Sequence, residues 1–128
     1  MKILRVISWI CLFLVVAMIV FLYYLTLHQE DIKNMKIGDI DLSNIEDGVY
    51  VGRFEGYRWS NTVEVTVQNQ QIVDVKITKG MMFRKNEVEE NLINQVINKQ
   101  SLDVDIVSGT TVSSKAILKA IENALNNK

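Results

Sequence analysis

The chain has 128 residues, with 14 basic and 15 acidic side chains, a single cysteine and a single histidine. The net charge is near zero, and the basic residues form no cluster of the kind that nucleic-acid binding requires. Cys11 alone cannot build a disulfide framework or a thiolate metal site. His28 alone cannot build a histidine metal cluster, and the chain has no evident pair of nucleophile and base, which disfavours a hydrolase.

The N-terminal part predicts a membrane anchor. Val6–Leu27 is a run of 22 residues without a charge, and such a run is about 33 Å long as a helix, enough to cross a bilayer. It is too long for a signal peptide, and no small-residue cleavage site closes it. Lys2 and Arg5 precede the run, whereas Glu30 and Asp31 follow it. The positive-inside rule therefore predicts a single-pass protein of the cell membrane, with a cytoplasmic N-terminus and an extracytoplasmic C-terminal part.

The rest of the chain divides into a spacer and one domain. We predict a membrane anchor over residues 1–28, a polar juxtamembrane spacer over residues 29–46, and a domain over residues 47–128. Within the spacer, a short helical extension of the anchor is expected to end before Gly38.

Three strands are predicted at the beginning of the domain. Gly48–Arg58 reads as the first strand, and Gly52 within it indicates a bulge or the close approach of another backbone. Residues 63–67 and 72–77 alternate between apolar and polar side chains and are joined by a hairpin at Gln68–Gln71. In the third strand the alternation places Val73, together with Val75 and Ile77, on the buried face.

Two helices follow the predicted strands. Asn86 is expected to cap a helix that reaches about Lys99. Three glutamates in its first turn suit the helix dipole and are interpreted as a solvated helix end rather than a metal or acid–base cluster: Glu87, Glu89 and Glu90. Leu102–Val107 alternates like a last strand, and apolar residues over 116–125 predict a last amphipathic helix. The fold class is α+β, a small antiparallel sheet with packed helices, preceded by one N-terminal transmembrane helix.

Between the predicted last strand and last helix lies a small, hydroxyl-rich segment, Asp105–Ser114 (D-I-V-S-G-T-T-V-S-S). The first turn of a helix has free N–H groups and a positive dipole end, which suit a phosphate. Gly109 allows close approach of a ligand or a positive φ. Serine and threonine hydroxyls bond phosphate oxygens or simply cap the helix, and both interpretations fit this pattern.

The same segment resembles a known motif. Asp105–Thr111 resembles the flavinylation motif D-x-x-S-G-A-T of FMN-binding domains, which occur in the Rnf complex, the sodium-pumping NADH:quinone reductase and membrane-tethered bacterial electron carriers. Asp47–Gly52 (D-G-V-Y-V-G) resembles the opening strand of these domains, D-G-x-Y-x-G. The later strands and the alanine-rich last helix follow in the order of the family, so the resemblance extends from Asp39 to Leu125.

This resemblance implies a covalent cofactor. A separate flavin transferase, with FAD as donor, would join FMN through its phosphate to the hydroxyl of Thr111. Asp105, Ser108 and Gly109 would then be recognition residues. Thr110 stands where the family usually has alanine, so its hydroxyl is a second candidate acceptor.

The implied function is that of a membrane-anchored, extracytoplasmic electron carrier. It would exchange electrons with membrane or extracytoplasmic redox partners, and it would have no complete active site of its own. The alternative is a membrane-tethered interaction module that has no redox role or binds FMN reversibly. Aromatic and apolar side chains at Tyr50, Phe54, Tyr57, Trp59 and Met81–Phe83 are candidates for contact with a flavin ring, although core packing is the commoner role of such residues.

Overall fold

The computed structural model describes residues 1–126 and begins with a long isolated helix. This helix, α1, spans Lys2–Thr26 and has no buried residue. Its 25 residues are about 37 Å long, and with a mean hydropathy of 2.8 in its most apolar window it is long and apolar enough to cross a membrane. A short second helix, α2 at Gln29–Asn34, follows and confirms the predicted extension.

A three-stranded antiparallel sheet forms the centre of the domain. Its strands are β1 at Gly48–Phe54, β2 at Asn61–Gln68 and β3 at Gln71–Lys79, in the spatial order β1-β2-β3. The alternating valines of β2, at 63, 65 and 67, are fully buried. The predicted small antiparallel sheet is therefore confirmed.

The predicted orientation of Val73 is wrong, because β3 contains a bulge. Thr66 pairs with Asp74 but Val67 pairs with Ile72, so Val73 is an extra residue. The bulge reverses the alternation at this point, and Val73 is 43% exposed whereas Ile72 is buried. Alternation by twos cannot place side chains across a bulge.

The last helix, α4 at Thr111–Asn126, packs across β1 and β2. A Cβ added to Gly52 would lie 1.9 Å from the carbonyl oxygen of Ala120 and 2.5 Å from the amide nitrogen of Ala124. Only glycine allows strand and helix to come this close, which confirms the predicted backbone approach. The predicted apolar stripe of α4 is buried in full: Ala116, Ile117, Ala120, Ile121, Ala124 and Leu125.

Helix α3, at Asn86–Lys99, packs against β3 and α4. The prediction that Asn86 caps it is wrong by one position, because Lys85 precedes the helix and provides no side-chain cap. Glu87 and Glu90 are exposed as predicted. Glu89 is only 5% exposed, so the interpretation of all three glutamates as a solvated end is wrong for this residue.

The predicted strand at Leu102–Val107 is absent from the described structure, where this segment is extended but irregular. Leu102, Val104 and Ile106 pack on the core, which explains the alternation without a partner strand, whereas Val107 is exposed. The side chain of Gln95 on α3 replaces that partner. Its amide nitrogen donates to the carbonyl of Asp105 at 3.1 Å, and its amide oxygen accepts from the N–H of Asp105 at 3.0 Å.

The predicted juxtamembrane segment packs along α4. Ile32 and Ile45 are each 4% exposed. Lys115 Nζ donates to the carbonyls of Lys33 and Met35, at 2.7 and 2.9 Å. These contacts hold the segment that follows α1 against the domain.

Candidate functional site

The turn before α4 depends on Gly109. Its φ is +83°, a region that L side chains rarely adopt, and an added Cβ would meet no atom within 4 Å. The glycine is therefore required by the backbone conformation, and the space beside it is open.

Thr110 is the cap of α4. Its carbonyl accepts the first helical hydrogen bond, from the N–H of Ser114 at 2.9 Å. Its hydroxyl donates to the carbonyl of Val107 at 2.6 Å and accepts from the hydroxyl of Ser114 at 3.3 Å. Because Thr110 is only 8% exposed and its hydroxyl is engaged in the turn, this geometry disfavours it as a competing acceptor.

Thr111 has the opposite environment. It is the first residue of α4 and is partly exposed. Its hydroxyl makes no hydrogen bond with any other group in residues 1–126. Of the two adjacent threonines, only Thr111 therefore has a hydroxyl without a hydrogen bond in residues 1–126.

Asp105 and Ser108 lie in the segment that leads to this turn. The carboxylate of Asp105 is 97% exposed, 3.9 Å from Lys99 Nζ, while its backbone is held by Gln95. Ser108 is exposed as well. Both side chains are thus accessible to a large partner, on a backbone that is fixed to α3.

A cleft of about 200 Å³ lies between the beginnings of α3 and α4. Its lining includes Gly109 and Thr110 but not Asp105, Ser108 or Thr111. The rest of the lining comes from the helices and from two loops: Arg58, Trp59, Met81, Met82, Phe83, Arg84, Lys85, Val88, Glu89, Ser113 and Ile117.

The charges around the cleft favour an anion. Three cationic side chains line it, Arg58, Arg84 and Lys85, against the single carboxylate of Glu89. Arg84 grips that carboxylate with two nitrogens, and the shortest contact, from Nη2 to Oε2, is 2.8 Å. Hydrogen bonds to Glu89 raise the pKa of Arg84 above its ordinary value, so Arg84 stays charged. The first turn of α4 contains no acidic residue.

Trp59 has a free hydrogen-bond donor. The guanidinium of Arg58 lies 3.9 Å from the centre of the Trp59 ring. The indole Nε1 is buried and has no hydrogen-bond partner in the described residues. A buried donor without a partner is rare in proteins, and this one belongs to a residue that lines the cleft.

Only some of the residues that line the cleft were predicted from the sequence. Trp59 and Met81–Phe83 are among the predicted contact candidates, and the structure places them in the cleft. Tyr50 and Phe54 pack against the core instead. Arg58, Arg84 and Glu89 were missed, and the only signal for them was the concentration of basic residues around an apolar loop.

Comparison with known proteins gives one family. The sequence model of a family described as "FMN-binding domain" matches residues 56–126. This match covers more than half of the chain and includes every residue that lines the cleft.

Two curated relatives also match. The NADH:acrylate oxidoreductase of Vibrio harveyi is 29% identical over 101 residues, which are 76% of this chain and 10% of that protein. An uncharacterized protein of Treponema pallidum (strain Nichols) is 28% identical over 101 residues, which are 77% of this chain and 28% of that protein. This chain therefore corresponds to a minor part of each relative.

Proposed function

The chain belongs to the FMN-binding domain family, and on that premise we propose that it is a membrane-anchored electron carrier with FMN attached to Thr111. The family match supports FMN as the cofactor. The name of the Vibrio relative, an NADH:acrylate oxidoreductase, supports a role in electron transfer. The observation that supports this attachment site is the contrast between Thr110, whose hydroxyl bonds Val107 and Ser114, and Thr111, whose hydroxyl makes no hydrogen bond in residues 1–126.

The beginning of α4 fits the phosphate of FMN. The first N–H groups of the helix have no intrahelical partner, and its first turn has no acid to compete for them. Gly109 leaves open space beside these groups. The cationic side chains of Arg58 and Lys85 line the same cleft and add to the attraction for an anion.

The opposite wall of the cleft fits part of the flavin ring. Trp59, Met82 and Phe83 line this wall and would provide ring and apolar contact. The cleft, at about 200 Å³, is smaller than the roughly 300–1,000 Å³ of sites that enclose a small molecule. It would cover only part of a flavin and leave the rest accessible to a redox partner. Bound FMN supplies the redox chemistry, and the protein positions it.

Attachment would require a separate flavin transferase with FAD as donor. Thr111 Oγ1 would form the new bond to the FMN phosphorus, the diphosphate bond of FAD would break, and AMP would leave. The proton of the hydroxyl would pass to a base of the transferase. We assign base and metal to the transferase because residues 1–126 contain no group of three or more His, Cys, Asp or Glu side chains placed to hold a metal ion.

Recognition by the transferase would use the exposed part of the turn. The side chains of Asp105 and Ser108 are accessible, and Gly109 keeps the approach to Thr111 open. Lys2 and Arg5, which precede the apolar run Val6–Leu27, favour an extracytoplasmic domain. A covalent bond would retain the flavin there, where free FMN would diffuse away.

The test is the mass of the full chain produced with and without a flavin transferase. We expect a gain of one FMN less one water only with the transferase, together with fluorescence that survives denaturing electrophoresis. Thr111→Ala should abolish the gain, while Thr111→Ser and Thr110→Ala should keep it. Circular dichroism should show that all variants are folded.

The same experiment separates the alternatives. Flavin that is released on denaturation would indicate a reversible binder. No flavin under either condition, while a competent acceptor domain is labelled in parallel, would favour an interaction module. Labelling of Thr111→Ala would place the attachment at another hydroxyl.

A further inference from the structure

One end of the domain is fastened to the end of α1. Arg58 Nε donates to the carbonyl of Leu25 at 2.8 Å, within the last turn of α1. Tyr57 stacks on His28, with ring centres 4.7 Å apart, and meets Tyr24 edge-on at 6.1 Å. These contacts place the turn at Tyr57–Trp59 where the chain would leave the membrane.

The loop Gly80–Lys85 lies directly beside this turn. The N–H of Met82 donates to the carbonyl of Arg58 at 3.1 Å, so the loop is one hydrogen bond away from the residue that binds α1. Met82 is 48% exposed and Phe83 is 69% exposed. Two large apolar side chains are therefore presented to the surroundings next to the expected membrane boundary.

The loop is also flanked by positive charge. Lys79 precedes it and Lys85 ends it, and neither forms an ion pair with any residue in 1–126. The third cation, Arg84, is held by Glu89. Apolar side chains between free lysines are the combination by which surface segments bind a bilayer that contains anionic lipid.

We propose that the loop Gly80–Lys85 is a second membrane contact, in addition to α1. Met82 and Phe83 enter the boundary between lipid headgroups and acyl chains, and Lys79 and Lys85 meet anionic headgroups. The occupant of this surface is the bilayer that anchors α1, because the contacts of Arg58 and Tyr57 hold the loop beside it. Since Met82 and Phe83 also line the cleft, this contact turns the cleft toward the membrane surface.

Helix α3 offers matched positions for a depth measurement. Asn86 and Asn98 are both exposed and lie at opposite ends of the helix, about 18 Å apart along its axis. Asn86 is beside the loop. Each is replaced by cysteine in the full chain carrying Cys11→Ala, and each is labelled with an environment-sensitive fluorophore. The chain is placed in vesicles of phosphatidylcholine and phosphatidylglycerol, with nitroxide quenchers at the headgroup or along the acyl chain.

We expect severalfold stronger quenching by the headgroup nitroxide at position 86 than at position 98. The difference should increase with the fraction of phosphatidylglycerol. Met82→Ser with Phe83→Ser should reduce quenching at position 86 to the level at 98, and Lys79→Gln with Lys85→Gln should remove the dependence on phosphatidylglycerol. The replaced side chains are exposed, so circular dichroism should be unchanged.

Equal quenching at the two positions with the native loop would overturn the proposal, because the vesicles contain no other protein that could cover the loop. Quenching at position 86 that persists in the folded double serine variant would also overturn it, since proximity to α1 alone would then explain the signal. The chain is produced without a flavin transferase, so both outcomes are read without covalent FMN in the cleft.

Discussion

The two helices that begin at the cleft differ in the charge of their first turns. Helix α3 has no side-chain cap, but its first turn carries Glu87 and Glu89. Glu89 is buried and bound by Arg84. Helix α4 follows Thr110, whose hydroxyl bonds the turn rather than an N–H group of the helix, and it has no acidic residue in its first turn.

We expect this difference in charge between a helix end that only stabilises the fold and one that binds an anion. The positive end of the α3 dipole is compensated by the carboxylates of Glu87 and Glu89, so a phosphate placed there would be repelled by negative charge. The first turn of α4 contains no carboxylate, so the positive end of its dipole can interact with an external anion. The charge of Arg84 is paired with Glu89 of α3, so Arg84 also belongs to the structural end. The phosphate of FMN is therefore expected at α4.

The largest expected effect comes from breaking the ion pair at α3. Arg84→Met would leave the buried carboxylate of Glu89 without its partner. We expect a loss of about 2–3 kcal/mol in the free energy of unfolding, below the roughly 3–5 of a fully buried pair, because the Arg84 side chain is 41% exposed and solvent screens it. Urea unfolding of the detergent-solubilised chain, followed by near-UV circular dichroism, measures this loss.

The matched control removes the carboxylate of Glu89, which has lost its partner in Arg84→Met. Glu89→Gln in the Arg84→Met background should recover most of the lost stability, because the uncompensated buried carboxylate is the source of the loss. A double variant as unstable as Arg84→Met alone would show that the arginine acts by packing. The α3 end would then be stabilised by something other than its own charge.

Much of the fold could be predicted because its elements are set by local patterns. The valines of β2 and the apolar stripe of α4 determine one strand and one helix directly. The failures arise where a distant group replaces a local partner. The segment Leu102–Val107 has the alternation of a strand, but the side chain of Gln95 bonds the N–H and the carbonyl of Asp105 in place of a partner strand. Val73 fails because a bulge shifts the register.

The site was predictable only in part, for a similar reason. The hydroxyl-rich turn is continuous in sequence, so Thr110 and Thr111 could be identified together. The register of the motif assigns the acceptor to Thr111, but the hydrogen bonds that distinguish the two hydroxyls involve Val107 and Ser114 and could not be predicted from the sequence. The cleft itself joins three segments that are far apart in the chain.

A smaller effect is expected at the cap of α4. Thr110→Val keeps the shape of the side chain but removes the hydroxyl that donates to the Val107 carbonyl, and the loss of this hydrogen bond should lower the free energy of unfolding by about 1 kcal/mol. Thr111→Val should leave stability almost unchanged, since the Thr111 hydroxyl has no partner in residues 1–126. Covalent flavin should show the reverse order, retained in Thr110→Val and lost in Thr111→Val. Equal destabilisation by the two substitutions would contradict the different roles assigned to these threonines.

The smallest expected change in stability gives the sharpest test of the two helix ends. Ser113→Asp would place a carboxylate in the first turn of α4, at the edge of the cleft, and should stabilise the helix by about 0.3–1 kcal/mol. The same charge should lower the affinity for free FMN severalfold, measured by flavin fluorescence in the Thr111→Ala background.

The matched change at the other helix is Glu87→Gln, which should destabilise α3 by a similar amount without altering that affinity. A stabilised α4 that binds FMN less well is the result expected if the ligand phosphate and the new carboxylate compete for the beginning of the same helix. If both substitutions shift FMN affinity equally, the long-range charge of the cleft binds the phosphate, and the beginning of α4 has no special part in it.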